Sequence, residues 1–552
     1  MLKQILILLF IVLSFETFAQ LQPRPILPFE NMVTMDTNIQ IKWSSNFYSA
    51  QSFQLQMSTD VNFSIITLDS TLITSNFINY TLPFYNQDYY WRVRFNNGTI
   101  SSNWSITSHF KIFNPVSIGG LTAWIDPNND VLMNGIGIQQ ISDQSGLNNN
   151  AIQLNSTLQP TLISNDSTIN YKSLMKYDGS NDFMEILDNN ALDYVSEFSF
   201  FLLYQPTVIA VNKTFLSKWD YPTQGSWAWQ TGYNVTDEML YSPAAYLTEA
   251  APSSVTTTNA DLTLKPTFLE LEFNGAAPID KMKFFKDFNL VGAGISAGFG
   301  STLPNSTASV KIGRYGGTAT RYMNGKIGEI LMYNNILTSN EKDDVQSYLR
   351  HKYSPPVSLG NDTILAGNNL CGSIALSPQK PFLSYLWSTG QTTKTITITT
   401  PGEYWLQTTD FFGFVSKDTL VVYSPFDVNL PAADTTVCLG NTINWVTDFP
   451  TSNFTFQWQD NSTNDTLSIS TSGDYYVTIS DLFGCSIVSD TMHVVVDQYP
   501  ANMSLGNDTT LCSSNLIELV SGAAETVSYT WIDNSSLTNL AILRSIIVLI
   551  SF

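Results

Sequence analysis

The sequence predicts an all-β chain built of tandem β-sandwiches, on three observations. Apolar and polar residues alternate over short segments, turn residues recur between them, and one segment alone has helical spacing behind a capping box. Composition agrees. Of the 552 residues, 43% are hydrophobic, 13% aromatic and only 13% charged, and β-branched and aromatic side chains suit pleated surfaces. The length exceeds what a single core organises, so several domains are expected. With 46 acidic against 25 basic residues the formal net charge is −21. Such a surface repels phosphate backbones and anionic lipid, which disfavours nucleic acid as a partner and favours divalent cations.

Residues 1–19 read as a signal peptide. Lys3 gives a positive start, residues 5–15 form an apolar run too short to span a bilayer, and Thr17-Phe18-Ala19 supplies small residues for cleavage after Ala19. A secreted or cell-surface location follows as the expectation, with an oxidising environment in which cysteines pair.

In residues 20–114, Ile39, Ile41 and Trp43 fall on one face of a strand, Phe53, Leu55 and Met57 on one face of the next, and Tyr89, Trp91 and Val93 on one face of a third. Leu82 precedes Tyr89-Tyr90-Trp91-Arg92-Val93-Arg94, and Ser101-Ser102-Asn103-Trp104-Ser105 follows. On these residues the segment resembles a fibronectin type III domain, which implies a spacer or binding unit.

Residues 115–354 carry longer strands: 121–125, 174–177, 183–186, 198–204, 214–218, 268–273, 282–285, 310–313 and 326–333, the number a two-sheet jelly roll needs. The segment closes with a helix. Thr338 and Glu341 form its capping box, Val345, Tyr348 and Leu349 recur at helical spacing, and Pro355 stops it. Gly120-Leu121-Thr122-Ala123-Trp124-Ile125-Asp126, Asp143-Gln144-Ser145-Gly146, Tyr177-Asp178-Gly179-Ser180-Asn181-Asp182 and Asn324-Gly325-Lys326-Ile327-Gly328-Glu329-Ile330 occur in that order. With the helix they make the segment similar to a laminin-G-like, concanavalin A-like lectin/glucanase domain.

Beyond the helix the chain repeats itself. Asp362, Asp434 and Asp508 recur with Trp387, Trp458 and Trp531, and Gly402-Glu403-Tyr404 returns as Gly473-Asp474-Tyr475. The repeats, 355–425 and 426–500, resemble Ig-like or PKD-like domains of Bacteroidota-type surface proteins. A third copy, 501–552, follows the pattern through Trp531 and then runs into an apolar tail. A truncated or frame-shifted end, an edge completed by a partner and a membrane anchor are the alternatives there; residues 546–552 are far below spanning length, and no transmembrane span is expected. The Ig-like resemblance implies a sheet-to-sheet disulfide between Cys438 and Cys485.

Candidate chemistry is sparse. His109, His351 and His493 lie in different expected domains, and nucleophile-elbow, zinc-protease and phosphate-loop motifs are absent. Glu270 and Glu272 alternate with Leu269, Leu271 and Phe273, so both carboxylates share one strand face. Glycosidases of the concanavalin A-like fold use paired carboxylates, about 5 Å apart for retaining chemistry, but the glucanase pattern Glu-x-Asp-x-x-Glu is not met, with Glu272 at its centre and Gly275 at its end. Asp178, Asn181 and Asp182 offer hard oxygens for calcium, with Asp126 and Asp143 as further donors, or simply form a turn. Trp219, Tyr221, Trp227 and Trp229, with Arg314, Tyr315, Arg321 and Tyr322, offer rings and polar groups for a sugar, unless Trp227 and Trp229 belong to the core.

Together these features predict a string of independent sandwiches without catalytic activity. The jelly roll would bind polysaccharide or an extracellular protein, with calcium as the sole candidate cofactor and the other sandwiches as a stalk. A glycoside hydrolase using Glu270 and Glu272 is the alternative, and a structural surface spacer the second.

Overall fold

The structure is a computed structural model. It describes residues 23–497 apart from 45–51, 84, 97–100, 209–212, 221–223, 232–238, 244–254, 257–263, 295–300, 304, 317–320, 361–362, 365–371, 424–433, 448, 450, 453 and 482–484. The expected signal peptide, Tyr221 and the expected third repeat lie outside the described residues. The chain is mostly strand, with one α-helix among the described residues. It divides into two compact units, Met1–Ile364 with Ala375–Tyr423 and Leu365–Ile374 with Ser424–Phe552.

The first unit begins with a sandwich. A five-stranded sheet, in the order Met32–Thr34, Ser108–Ile112, Gln87–Asn96, Ser52–Ser58, Ile66–Ile73, faces a three-stranded one, Pro25–Leu27, Asn38–Trp43, Phe77–Thr81. Its core contains all nine residues that alternation assigns to it, from Ile39 to Val93. On the opposite face of Gln87–Asn96, Arg92 and Arg94 bracket the Trp104 ring at 4.6 and 4.5 Å, a cation–π stack.

The jelly roll follows, and every strand expected in it is present. One antiparallel sheet runs Thr161–Asp166, Lys172–Asp178, Asn324–Tyr333, Glu197–Pro206, Thr267–Asn274, Met282–Lys286, Asn289–Gly294, with Leu121–Ile125 also paired to Asn324–Tyr333. The other runs Val131–Asn134, Gly137–Ile141, Ala151–Ile152, Met184–Ile186, Val310–Ile312, Thr214–Asp220, Gln224–Thr231, Met239–Pro243, Val255–Thr256. Phe200, Leu202, Leu269, Leu271, Ile330 and Met332 point between the sheets. Phe201, Leu203, Phe268, Leu331 and Tyr333 point the other way and are equally buried, which explains the unbroken apolar run 198–204.

What buries that second face is the helix Ser339–Tyr353, with its Thr338–Glu341 capping box formed as expected. Val345, Tyr348, Leu349 and Tyr353 sit in the same cluster as the sheet's outer residues. That cluster also takes Val33 and Phe113 from the first sandwich and Phe412 from the first repeat. Around it, Lys111 pairs with Asp344 at 2.6 Å, Arg350 with Asp410 at 2.9 Å, and Phe268 stacks on Phe412 at 4.6 Å. These three modules are therefore not independent beads. They share one core because the helix is apolar on the side facing the sheet and ionic along its flanks.

The repeats reuse the same local devices. Trp387 Nε1 donates to the Thr393 carbonyl at 2.9 Å and Trp458 Nε1 to that of Asn464 at 2.8 Å. The Tyr404 and Tyr475 hydroxyls donate to the carbonyls of Thr400 and Thr471, both at 2.8 Å. Each repeat also starts with a strand paired in parallel to its last one: Thr363–Ile364 on Val415–Tyr423, and Thr435–Cys438 on Met492–Asp497. In the second unit, Trp445, Phe456, Trp458, Ile469, Val477, Ile479 and Val494 form the core.

Candidate functional site

Glu270 and Glu272 share a strand face, as alternation requires, but this face is not open. Both are buried, because they lie on the side of the sheet that the helix covers. Lys342 from the helix stands 2.6 Å from Glu270 and 2.8 Å from Glu272, and Gln346 Nε2 donates to Glu270 Oε2 at 2.8 Å. The Lys342 ammonium also lies 3.3 Å from the centre of the Phe285 ring. Burial, with the negative charge of Glu272 adding to it, pushes Glu270 up to about 8 against the pull of Lys342. Glu272 borders a cavity of about 270 Å³ together with Asp280, Lys281 and Lys283. The pair is thus a carboxylate clamp on the helix, its partners Lys342 and Gln346 four residues apart and so on one helical face. The sequence marks the helix but not the sheet face on which it docks.

Trp227 and Trp229 face the space between the sheets and are fully buried. Trp227 packs against Phe200 at 5.2 Å and Tyr194 at 6.0 Å, and Trp229 against Phe215 at 5.5 Å. These two are core residues, not sugar platforms. Trp219 points to the opposite face and forms a small cluster with Ala228 and Tyr315. Trp219 and Tyr315 are themselves buried and serve as the floor of a ledge rather than as its surface.

The ledge is built on that floor. Gly316 approaches so closely that a Cβ there would lie 1.7 Å from the Trp219 carbonyl oxygen, so only glycine lets the loop settle against this strand. Arg321 stacks over Tyr315 at 4.7 Å, and Arg314 lies over Phe183 at 4.8 Å and Tyr322 at 5.7 Å. Arg314, Arg321 and Tyr322 are half-buried. The Arg314 Nε is buried without an acceptor, and Arg321 holds a φ of 41°, a left-handed conformation uncommon for a non-glycine residue. The ledge brings together four of the eight residues expected to bind ligand, over the buried Trp219; Phe183, which the sequence reading did not include, completes it. In the sequence Phe183 reads as the first residue of the 183–186 strand, and Asn181 and Asp182 as calcium donors or a turn.

The loop before Phe183 does not present a calcium set. Asp178 Oδ1 accepts the N–H groups of Ser180 at 2.8 Å, Asn181 at 3.1 Å and Asp182 at 3.3 Å, while Asp182 Oδ2 accepts that of Asp178 at 3.0 Å. Asn181 turns its amide to donate to the Thr157 carbonyl at 3.0 Å. The oxygens thus hold the turn together. Burial and the nearby Asp178 push Asp182 up to about 6, so it is partly protonated near neutrality. Asp126 and Asp143 are engaged elsewhere, with Lys352 and with the backbone of Trp124 and Asn149. Among the described residues no three His, Cys, Asp or Glu side chains gather as metal ligands.

The expected Cys438–Cys485 disulfide does not form. Cys438 is a free, exposed thiol, and Cys485 is disulfide-bonded. Strand parity is the reason: Val437 points into the core, which turns Cys438 outward. A maleimide should label Cys438 in the native, unreduced chain and leave Cys485 unlabelled until reduction, as peptide mass mapping would read out. The histidines share no partner. His109 pairs with Asp88 at 2.9 Å, His351 Nδ1 accepts the Val33 N–H at 3.3 Å, and His493 pairs with Asp474. Burial takes His351 down to about 4.

No protein-family model and no curated protein matches the chain. Among solved structures it has distant similarity to a Trypanosoma rangeli sialidase in complex with sialic acid, at 12% identity and TM-score 0.30, over 56% of this chain and 50% of that one. It spans about half the length of that sialidase. A second likeness is to the Ruminococcus gnavus IT-sialidase CBM40 bound to alpha2,3 sialyllactose, at 13% identity and TM-score 0.22, over 28% of this chain and 83% of that one. A third is to an Fn3-like protein from Clostridium thermocellum, at 20% identity and TM-score 0.13, over 16% of this chain and 92% of that one.

Proposed function

We propose that this chain is an exported, non-catalytic binding protein, and that its jelly roll takes a polysaccharide or extracellular protein ligand on the Arg314–Tyr322 ledge. The observation that carries the reading is the ledge itself: two half-exposed guanidinium groups and a tyrosine ring held over buried aromatic rings, with one Arg314 donor unmet. Ring faces stack on apolar sugar faces or side chains, and guanidinium donors bond hydroxyls or carboxylates. The first sandwich and the repeats act as scaffold.

The test is binding of the full chain to immobilised polysaccharides and extracellular matrix proteins. Arg321→Ala and Tyr322→Ala should each weaken binding about tenfold, about 1.4 kcal/mol, without moving the unfolding transition. Chelators should leave binding unchanged, because the Asp178–Asp182 turn gives calcium no ligand set. Binding that survives both substitutions would remove the ledge from consideration, and no ligand at all would favour the spacer.

A hydrolase is the second reading. What favours it is that Glu270 is raised to about 8, in the range of a general acid, and that Glu272 opens on a cavity. Glycan cleavage lost in Glu272→Gln would establish it in place of the binding protein.

A further inference from the structure

Three ionisable groups meet in one buried space apart from the ledge. Asp126 follows the Leu121–Ile125 strand, Glu329 lies on the neighbouring Asn324–Tyr333 strand, and Lys352 is in the last turn of the helix. Lys352 Nζ stands 2.6 Å from Asp126 Oδ2 and 2.7 Å from Glu329 Oε2, and neither acid side chain has any exposed surface. Trp124 Nε1 and the Tyr348 hydroxyl donate to Glu329 Oε1 at 2.6 and 2.8 Å. Asp126 Oδ1 receives the backbone N–H of Asn128 at 3.0 Å and its Nδ2 at 2.9 Å.

The geometry points to a covalent outcome: an intramolecular amide between Lys352 Nζ and Asp126 Cγ, formed with Glu329 as proton carrier. One ammonium proton moves to Asp126 Oδ2, and the freed amine attacks Cγ. The negative charge that develops on Oδ1 is met by the two Asn128 donors. Glu329 takes a second proton from the nitrogen and returns it to Oδ2, which leaves as water. One C–N bond forms, one C–O bond breaks, nothing is oxidised or reduced, and Glu329 ends as it began.

Physical arguments favour this step here. Ions without solvent are costly to keep, and condensation replaces two of them with a neutral amide. Burial raises Glu329 above the ordinary carboxylate range, which suits a group that takes up and returns a proton. For Asp126, burial acts upward but Lys352 and Asn128 outweigh it and hold the group low, so the ion pair is the starting state. A cavity of about 430 Å³, bordered by Asp126, Asn128 and Lys352, gives the water a way out. Lys218 provides the contrast. It is more deeply buried, with 1% of its side chain exposed against 14% for Lys352, and lies 2.6 and 2.7 Å from Asp188 and Asp193, but those carboxylates are 25% and 17% exposed and keep contact with solvent. The amide would tie residues 226 positions apart, clasping the first strand of the jelly roll to its closing helix.

Mass spectrometry of the reduced, denatured full chain tests this. The expected mass is one water below that calculated for the chain from its own N-terminus, with the leader removed where it is cleaved, and digestion should yield a branched peptide joining Lys352 to Asp126. Lys352→Ala, Asp126→Ala and the shape-preserving Glu329→Gln should restore the full mass, while Lys218→Met should not. A wild-type chain at the full calculated mass overturns the proposal, whatever the variants do. So does a missing water located at Asp178-Gly179, since a succinimide there links no second peptide.

Discussion

Replacing Trp227 with alanine should unfold the jelly roll before it affects any ligand, lowering stability by about 3–5 kcal/mol. The ring is fully buried among Tyr194, Phe198 and Phe200, at 6.0, 6.4 and 5.2 Å. Its removal leaves a hole in the centre of the larger core, where stacked strands cannot collapse without losing register. Trp227→Phe should cost much less. The Trp227 Nε1 is buried with no acceptor, so phenylalanine gives up ring area but also removes an unmet donor. Urea unfolding followed by near-ultraviolet circular dichroism reads both effects. A Trp227→Ala chain with an unchanged midpoint and lost ligand binding would return this ring to the binding surface, contrary to its place between the sheets.

Trp227 also shows where sequence reasoning stops. A period of two says that Trp227 and Trp229 share a face, and they do; it does not say which of two buried faces that is. Strand existence was legible because alternation and turn residues are local, and the helix because its capping box is local. The same parity that placed Leu269, Leu271 and Phe273 in the core put Glu270 and Glu272 opposite them. Nothing in the strand reveals that a helix some seventy residues later lies over that side. Cys438 illustrates the converse: the Ig-like resemblance fixed its position but not its parity, and the neighbouring Val437 took the inward place. The fusion of three modules rests on Val33, Phe113 and Phe412, each of which reads in sequence as an ordinary residue of its own sandwich.

The clamp between helix and sheet makes the second large prediction. Lys342→Met should destabilise the first unit by about 3–5 kcal/mol, because it leaves the buried Glu272 without its counter-ion and takes a hydrogen-bond donor from Glu270. Adding Glu272→Gln should recover part of that loss, since the uncharged amide no longer needs the ammonium. The pH dependence follows from the same burial. Glu270 holds its proton up to about 8 in the folded chain against an ordinary value of 4.5, so between those values the folded form binds more protons than the unfolded one. Its contribution is complete below about 4.5 and is lost as pH rises through 8, at no more than about 1.4 kcal/mol per pH unit. Urea midpoints from pH 5 to 9 should therefore decline in the wild type and flatten in Glu270→Gln. Equal slopes in the two chains would show that Lys342 already holds Glu270 ionised, and the helix would then be fastened by a plain ion pair with no pH sensitivity in this range.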